Sequence, residues 1–234
     1  MITDFYKVSA VSPEIVVADI QYNLRNAKLF FAKEVEYGSS IVVFPELYLT
    51  GYTCGDLFLQ QTLLLEAEKA LIDFADFTKE YSAVAVIGLP LKIGAALYNC
   101  AAVIKRGRIL GIVPKKYIPN YNECYQKRWF RSGFDISDTS IGIKGRTVPF
   151  GNLLFALSED AVLGIEICED LWAPLSSSTE LCLKGANIIA NLSASNETLT
   201  KNEYRKKLVE ITSAKNYCAY IYANAGIGES TQDL

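Results

Sequence analysis

The chain has 234 residues, of which 50% are hydrophobic and 21% are charged, with a formal net charge of −3 at pH 7. A chain of this length can bury one large core, so we expect a single domain over residues 1–234, and its charge gives no electrostatic case for binding nucleic acid or an anionic membrane. The sequence contains no histidine, which excludes Cys-His and Ser-His-Asp nucleophile pairs and histidine-ligated metals.

The hydrophobic pattern predicts alternating strands and helices in the first half of the chain. Short, fully apolar runs are typical of buried strands, and apolar side chains at a spacing of three and four residues are typical of helices. The predicted elements, in chain order, are a strand at 7–10, a helix at 18–37, a strand at 41–44, a helix at 63–81, and strands at 83–90, 96–105 and 108–113.

The second half begins with residues 117–131, where aromatic and basic side chains are interleaved. Such a mixture can bind single-stranded nucleic acid, but a loop or short helix that covers an active site next to Lys115 explains the same residues. Beyond it we predict short strands within 141–155, a buried strand ending at 167, a helix at 180–184, a strand at 187–192, a helix at 200–216 and a strand at 218–225. Layer rules then favour a two-sheet core covered by helices.

Three of the predicted strands end close to a residue that suits covalent chemistry: Glu46, Lys115 and Cys168. Each has an ordinary alternative, because acids and lysines at strand ends are usually solvated and a free cysteine is often a small core residue. Without histidine, however, covalent chemistry in this chain must combine a nucleophile with a carboxylate base and a lysine or arginine cation. The three residues together meet that requirement.

The sequence around these residues forms three motifs. They are Phe44-Pro45-Glu46-Leu47 with Thr50-Gly51-Tyr52, Val113-Pro114-Lys115, and Cys168-Glu169-Asp170-Leu171-Trp172. In this order they resemble the Glu-Lys-Cys triad and its flanking motifs in the nitrilase, or carbon-nitrogen hydrolase, superfamily, and the resemblance extends over essentially the whole chain. It implies an α/β protein with a four-layer α-β-β-α sandwich, in which Glu46, Lys115 and Cys168 are catalytic.

Three further segments narrow the resemblance. They are Lys115-Lys116-Tyr117-Ile118-Pro119-Asn120-Tyr121 with Glu123 and Tyr125, then Asn191-Leu192-Ser193-Ala194-Ser195, and Ala225-Gly226-Ile227-Gly228-Glu229-Ser230-Thr231. They are similar to the N-terminal glutaminase domain of glutamine-dependent NAD(+) synthetases. The resemblance implies hydrolysis of the side-chain amide of L-glutamine through a cysteine thioester, with the ammonia used for ATP-dependent amidation of nicotinic acid adenine dinucleotide to NAD.

The resemblance also implies a substrate site. Glu169 is expected to hold the α-ammonium group of glutamine, and Tyr121 and Ser195 define that end of the pocket. Lys201 and Arg205 occupy the place of a basic pair in the family, and either could meet the α-carboxylate.

Two nearby residues depart from the family pattern, because Asn196 stands where proline is common and Thr200 where glycine is common. The resemblance further implies that no metal or organic cofactor serves the amidase reaction. ATP and Mg are expected only in a synthetase domain, which is absent from these 234 residues and would follow them. A homo-oligomer is also expected.

The residue types suggest how such chemistry would run. A nearby ammonium lowers the pKa of a thiol, so Lys115 is expected to favour the thiolate of Cys168. Lys115 and the backbone N–H of Glu169 are candidates to stabilise the oxyanion. Glu46 can deliver a proton to the leaving nitrogen and then activate water.

Two alternatives stay open at this level. The chain could be a stand-alone nitrilase-family amidase or carbamoylase that acts on another small compound, or a non-catalytic assembly module. Six cysteines without a C-x-x-C pair, and the lack of a signal peptide or an apolar run near the ~18 residues of a membrane span, predict a cytoplasmic protein in either case.

Overall fold

The computed structural model describes residues 5–230, which form four α-helices and eleven strands. The helices are Ile20–Glu36 (α1), Gln61–Phe77 (α2), Ser177–Leu183 (α3) and Lys201–Asn216 (α4). Within the described range no helix is long and apolar enough to cross a membrane. Thr231, the last residue of the motifs named above, lies outside the described residues.

The strands between and around these helices agree closely with the predicted ones. In chain order they are Val8–Ala10 (β1), Ile41–Val43 (β2), Val84–Ile93 (β3), Ala96–Lys105 (β4), Arg108–Pro114 (β5), Thr139–Ile143 (β6), Arg146–Phe150 (β7), Leu154–Ala156 (β8), Val162–Ile167 (β9), Ile188–Ser193 (β10) and Ala219–Asn224 (β11).

The strands form two sheets. The larger sheet has the order β1-β2-β3-β4-β5-β7-β6, and the smaller has the order β11-β10-β9-β8. In the larger sheet β2 is parallel to β3, while β4 is antiparallel to both β3 and β5. Strands β2 and β5 therefore run in the same direction and end at the same edge of the sheet. In the smaller sheet β9, β10 and β11 are parallel.

Three buried apolar clusters separate four layers. Side chains of both sheets, such as Ile41 and Ile165, meet in a central cluster. Helices α1 and α2 cover the other face of the larger sheet, where Phe31 is fully buried. Helix α3 covers the outer face of the smaller sheet through Leu181 and Ile189, and α4 lies beside β11. The order of helix, sheet, sheet and helix confirms the four-layer α-β-β-α sandwich.

Strand β2 shows why the apolar runs of this sequence are continuous. Successive side chains of a strand point to opposite faces of the sheet. Ile41 and Val43 accordingly join the central cluster, whereas Val42 and Phe44 join the cluster under the helices. Because both faces of the sheet are covered, no position of the strand favours a polar residue.

Two predicted helix boundaries differ from the observed ones by three residues or more. Helix α2 ends at Phe77, and a 3₁₀ helix, Thr78–Glu80, takes up its last predicted turn. Helix α3 begins at Ser177 rather than at residue 180. The reason is the preceding residue, since the Ser176 hydroxyl accepts a hydrogen bond from the Thr179 N–H at 3.4 Å and so caps the helix earlier.

Candidate active site

The residues predicted for catalysis follow three strands that end close together. Glu46 follows β2, Lys115 directly follows β5, and Cys168 directly follows β9. Packing of the two sheets brings these ends together, and the Ala194 N–H after β10 donates to Glu46 Oε2 at 3.0 Å across the gap. Glu46, Lys115 and Cys168 are 1%, 0% and 9% exposed, so burial forces their polar atoms to find partners in the protein.

Glu46 and Lys115 form a buried ion pair. Lys115 Nζ lies 2.6 Å from Glu46 Oε1, and Asn99 Nδ2 donates to the same oxygen at 2.6 Å. Gln126 completes the group, because its Oε1 accepts from Lys115 Nζ at 3.2 Å and its Nε2 donates to the Tyr52 hydroxyl at 2.7 Å. Burial lowers the pKa of Lys115, but the surrounding acidic groups, Glu46 first among them, and the hydrogen bond to Glu46 together raise it, so the ammonium is retained.

Cys168 occupies a strained turn. Its φ angle of +45° lies in the left-handed region, which costs a residue other than glycine about 1 kcal/mol or more. The Cys168 N–H donates to Asn191 Oδ1 at 3.2 Å, and this bond holds the turn. The short 3₁₀ helix Cys168–Leu171 starts here. Cys168 is therefore both the residue after the strand and the first residue of this helix.

The expected effect of Lys115 on the Cys168 thiol is present, but it is not the largest one. Burial raises the pKa of the Cys168 thiol to about 12, and the carboxylate of Glu46 contributes to the rise. Lys115 lowers the pKa of the thiol, as predicted, but by less than these effects raise it. The combined effect favours the neutral thiol over the thiolate.

Asp170 joins the loops that carry Lys115 and Cys168. Its buried carboxylate accepts hydrogen bonds from the backbone N–H groups of Lys116 at 3.1 Å, Tyr117 at 2.8 Å and Ile167 at 3.0 Å. Lys116 itself forms an ion pair with Glu180 on α3. Of the two adjacent lysines, Lys115 is therefore the one directed at Glu46.

A pocket of about 200 Å³ opens above Cys168. Its lining residues are Tyr52, Pro119, Tyr121, Glu123, Cys124, Cys168, Glu169, Trp172, Ala194, Ser195, Asn196 and Lys201. A larger cavity of about 500 Å³ lies between the starts of α1 and α2 and is lined by none of the residues predicted for catalysis or substrate binding. Of the two, only the smaller pocket is lined by a residue predicted for catalysis, Cys168.

The polar side chains of this pocket form two groups. The Tyr121 hydroxyl lies 2.8 Å from both carboxylate oxygens of Glu169. Burial raises the pKa of Glu169, and the hydrogen bond from Tyr121 opposes the rise. Lys201 Nζ lies 5.5 Å from the centre of the Trp172 ring and donates to Asn196. The pocket therefore offers a carboxylate and an ammonium to one ligand.

Arg205 is placed differently from the other residues predicted to bind substrate. It is absent from the lining of this pocket within the described structure. Its Nη1 donates to Ser195 Oγ at 3.3 Å, and its Nη2 pairs with Glu197. Arg205 thus lies behind Ser195, and of the two predicted cations only Lys201 faces the pocket.

Asn99, Gln126 and Asn191 were not predicted from the sequence as parts of the site. Asn99 and Asn191 carried a usable signal, because each is an amide in an otherwise apolar buried strand, where a polar group needs a partner. Gln126 lies in the aromatic and basic segment before β6 and carried no such signal. Among the described residues no cluster of three or more histidine, cysteine or acidic side chains could hold a metal ion.

Comparison with known proteins places this arrangement in a family. The model of the carbon-nitrogen hydrolase family matches residues 7–231. A glutamine-dependent NAD(+) synthetase of Mycobacterium tuberculosis is 41% identical over 98% of this chain, and one of Aquifex aeolicus is 33% identical over 89% of it. The chain spans about a third of the length of these relatives, 34% and 33%.

Solved structures show the same fold. The crystal structure of a glutamine-dependent NAD(+) synthetase from Cytophaga hutchinsonii has a TM-score of 0.82 and 29% identity, covering 92% of this chain and 35% of that one. An amidase from Nesterenkonia sp. has a TM-score of 0.72 and 19% identity, covering 94% and 77%. With the family match over nearly all of its length, and with the sheets and strand ends described above, the chain belongs to the carbon-nitrogen hydrolase family.

Proposed function

We propose that this chain hydrolyses the side-chain amide of L-glutamine through a thioester on Cys168. One observation carries the proposal: the buried Glu46–Lys115 ion pair lies beside a cysteine that opens into a pocket with a carboxylate and an ammonium. A free amino acid presents the complementary pair of charges. The names of the relatives support glutamine as that amino acid.

The first half of the reaction uses all three buried residues. As Cys168 Sγ attacks the amide carbon, its proton passes to the carboxylate of Glu46, which accounts for a thiol that is neutral at rest. The carbonyl oxygen becomes an oxyanion, and Lys115 Nζ and the Glu169 N–H are its donors. The Glu169 N–H lies in the first turn of its short helix, where N–H groups have no partner within the helix.

The second half regenerates the thiol. The carbon–nitrogen bond breaks as Glu46 returns its proton to nitrogen, and ammonia leaves a thioester on Cys168. Glu46 then removes a proton from water, the hydroxyl adds to the thioester carbon, and glutamate departs as the proton passes to sulfur.

Glu169 and Lys201 would fix the amino acid end of glutamine. The α-ammonium pairs with the Glu169 carboxylate, which Tyr121 orients, and the α-carboxylate pairs with Lys201 rather than with the recessed Arg205. A charge-assisted pair in a partly buried pocket binds more tightly than a neutral hydrogen bond. Ser195 lies between the two ends and is held by Arg205.

We further propose that the ammonia serves the ATP- and Mg-dependent amidation of nicotinic acid adenine dinucleotide to NAD in a cytoplasmic homo-oligomer. The relatives are about three times as long as this chain and are named for that synthesis. The synthetase reaction would then belong to a further domain.

The decisive experiment measures ammonia release from L-glutamine by the wild-type chain and by Cys168→Ala. We expect release to be lost in Cys168→Ala and kept in Cys124→Ala, since Cys124 lines the same pocket but takes no part in the reaction. Hydrolysis that survives in Cys168→Ala would overturn the assignment of the nucleophile. A preference for a simple amide over glutamine would leave the nucleophile and remove the glutaminase function.

The amino acid end is tested with truncated substrates. Loss of an ionic hydrogen bond costs roughly 1.5–3 kcal/mol, so Glu169→Gln should raise KM for glutamine about tenfold or more. The same variant should change KM little for 4-carbamoylbutanoate, which lacks the α-ammonium. Equal losses on both substrates would show that Glu169 has another role.

A further inference from the structure

A buried acid that the proposed reaction does not use lies behind Cys168. Glu166 is 0% exposed and points from β9 to the α3 side of the smaller sheet. Ser178 N–H donates to its Oε2 at 2.7 Å, and Asn191 Nδ2 donates to its Oε1 at 3.2 Å, as does the Tyr220 hydroxyl. These partners are all uncharged donors, and a buried carboxylate held in this way is costly to keep.

Asn191 connects this acid to Cys168. It lies directly opposite Glu166 in the register of β9 and β10. Its Nδ2 donates to Glu166 and, at 3.0 Å, to the Tyr220 hydroxyl. Its Oδ1 accepts from the Cys168 N–H at 3.2 Å and from Ser193 Oγ at 2.6 Å. All four bonding directions of the amide are thus used.

With Glu166 ionised, these bonds permit only one orientation of the Asn191 amide. A flipped amide would turn its NH₂ group toward the Cys168 N–H and its oxygen toward the carboxylate of Glu166, so two pairs of like groups would face each other. Glu166 therefore decides which atom of Asn191 the Cys168 backbone meets.

The orientation matters because Cys168 has a φ angle of +45° that its surroundings must maintain. With its N–H bound to Asn191, Cys168 cannot contribute that group to an oxyanion site, which leaves this role to the next N–H, on Glu169. We propose that Glu166 is a positioning residue for amide hydrolysis, which acts through Asn191 to hold the nucleophile turn. The inference rests on the proposed role of Cys168 as the nucleophile.

An exchange of the two side chains tests the inference. Asn191→Asp keeps the acceptor for Cys168 but sets two carboxylates against each other. We expect kcat for glutamine to fall about a hundredfold, the effect of a small misplacement of reacting groups, while KM changes little because the substrate subsite is intact. In Glu166→Gln with Asn191→Asp, the new amide donates to the new carboxylate, and kcat should recover at least about tenfold.

A second readout does not depend on the substrate. The rate of Cys168 alkylation by iodoacetamide, followed by peptide mass spectrometry, should change in Asn191→Asp and return toward the wild-type rate in the double variant. Asn187→Asp is the matched control, because Asn187 binds the start of β9 through the Val162 N–H at 2.9 Å and lies far from the turn. It should leave kcat and alkylation unchanged.

The outcomes separate the possibilities. A folded double variant that is as slow as Asn191→Asp would overturn the positioning role, and so would a loss in Asn191→Asp that appears in KM alone. If Asn191→Asp does not fold, Tyr220→Phe, which removes a shared partner of both side chains, should lower kcat several-fold at constant KM, and an unchanged kcat would overturn the role. Glutamine hydrolysis in Cys168→Ala would instead refute the proposed nucleophile, whatever the exchange shows.

Discussion

Glu46 and Lys115 act in opposite directions on the neighbouring thiol. The negative charge of Glu46 raises the pKa of Cys168, whereas the positive charge of Lys115 lowers it. Because the two side chains also neutralise each other at 2.6 Å, neither acts on the thiol with its full charge. The pair therefore places a carboxylate beside a thiol whose pKa is raised.

Replacing Glu46 with glutamine should have opposite effects on the ionisation of Cys168 and on the rate of amide hydrolysis. In Glu46→Gln the charge that raises the pKa of Cys168 is gone and Lys115 remains, so the pH profile of Cys168 alkylation should move to lower pH. Amide hydrolysis should nevertheless fall by about 10²–10⁴, because the general acid and base is lost. Measuring both rates between pH 6 and 10 on the same preparation checks this.

Glu123→Gln is the control for that experiment, since Glu123 lines the pocket and binds Asn196 rather than the ion pair. Its alkylation profile should match the wild type. An alkylation profile that does not move in Glu46→Gln would contradict the assigned effect of Glu46 on the thiol.

At the scale of elements, the site depends on how loops are tied to one another. Asp170 follows β9 but bonds the backbone after β5, so one carboxylate fixes the Lys115 loop against the Cys168 turn. The strands alone do not determine this relation, because β5 and β9 belong to different sheets.

Asp170→Asn should weaken that connection. An asparagine keeps one oxygen acceptor and turns an NH₂ group toward a backbone N–H, so a buried donor loses its partner at a cost of about 1–3 kcal/mol. Urea unfolding should show a loss of this size together with reduced hydrolysis. Asp138→Asn tests the same change at an exposed acid that accepts from the Asn152 N–H, and it should cost much less. Similar losses in the two variants would contradict a special role for Asp170.

The start of α4 carries a second strained residue. Thr200 has a φ angle of +69°. β-Branched residues are rare in this region, whereas glycine adopts it without a steric penalty. The resemblance places a glycine here, and the chain adopts the glycine-like conformation although the residue is threonine. The segment that presents Lys201 to the pocket is therefore strained at its first residue.

Relief of this strain should stabilise the protein. In Thr200→Gly the left-handed conformation loses its steric cost. The greater entropy of glycine in the unfolded chain offsets part of this, and we expect the free energy of unfolding to rise by about 1 kcal/mol. Thr200→Ala keeps the Cβ atom and should show no such gain. Equal stability of the two variants in thermal unfolding would show that the backbone at residue 200 is not strained.

For the whole molecule, the central cluster between the sheets holds the site together. Ile165 lies in this cluster, 1% exposed, on the strand that ends at Cys168. The ion pair comes from the other sheet. Any loosening of the contact between sheets therefore separates the thiol from the ion pair.

Ile165→Ala should lower the free energy of unfolding by about 3 kcal/mol, because it removes buried apolar atoms and leaves a cavity. Ile211→Ala removes the same atoms from α4, where the side chain is 63% exposed, and should change stability by less than about 0.5 kcal/mol. Urea unfolding measures both. A loss of similar size in the two variants would contradict the central role of the sheet contact.

Much of this molecule follows from local sequence. Apolar runs without alternation predict strands that are buried on both faces, as in β2, and the spacing of Ile20, Leu24 and Phe31 predicts α1. The absence of histidine limits the chemistry to a carboxylate, a cation and a nucleophile. The position of Glu46, Lys115 and Cys168 after apolar runs, with their flanking motifs, already pointed to one site and to the family.

Other properties arose only when distant segments met. The protonated state of Cys168 depends on burial by both sheets, which no neighbour in sequence reveals. Asn99 joins Glu46, and Asn191 joins Glu166 to Cys168, through strands that come together only in the folded sheets. Arg205 matches the same family motif as Lys201 but lies behind Ser195, where it binds Ser195 Oγ and pairs with Glu197. Sequence determines the kinds of element and group, whereas desolvation and the partners of buried polar atoms exist only after the layers close.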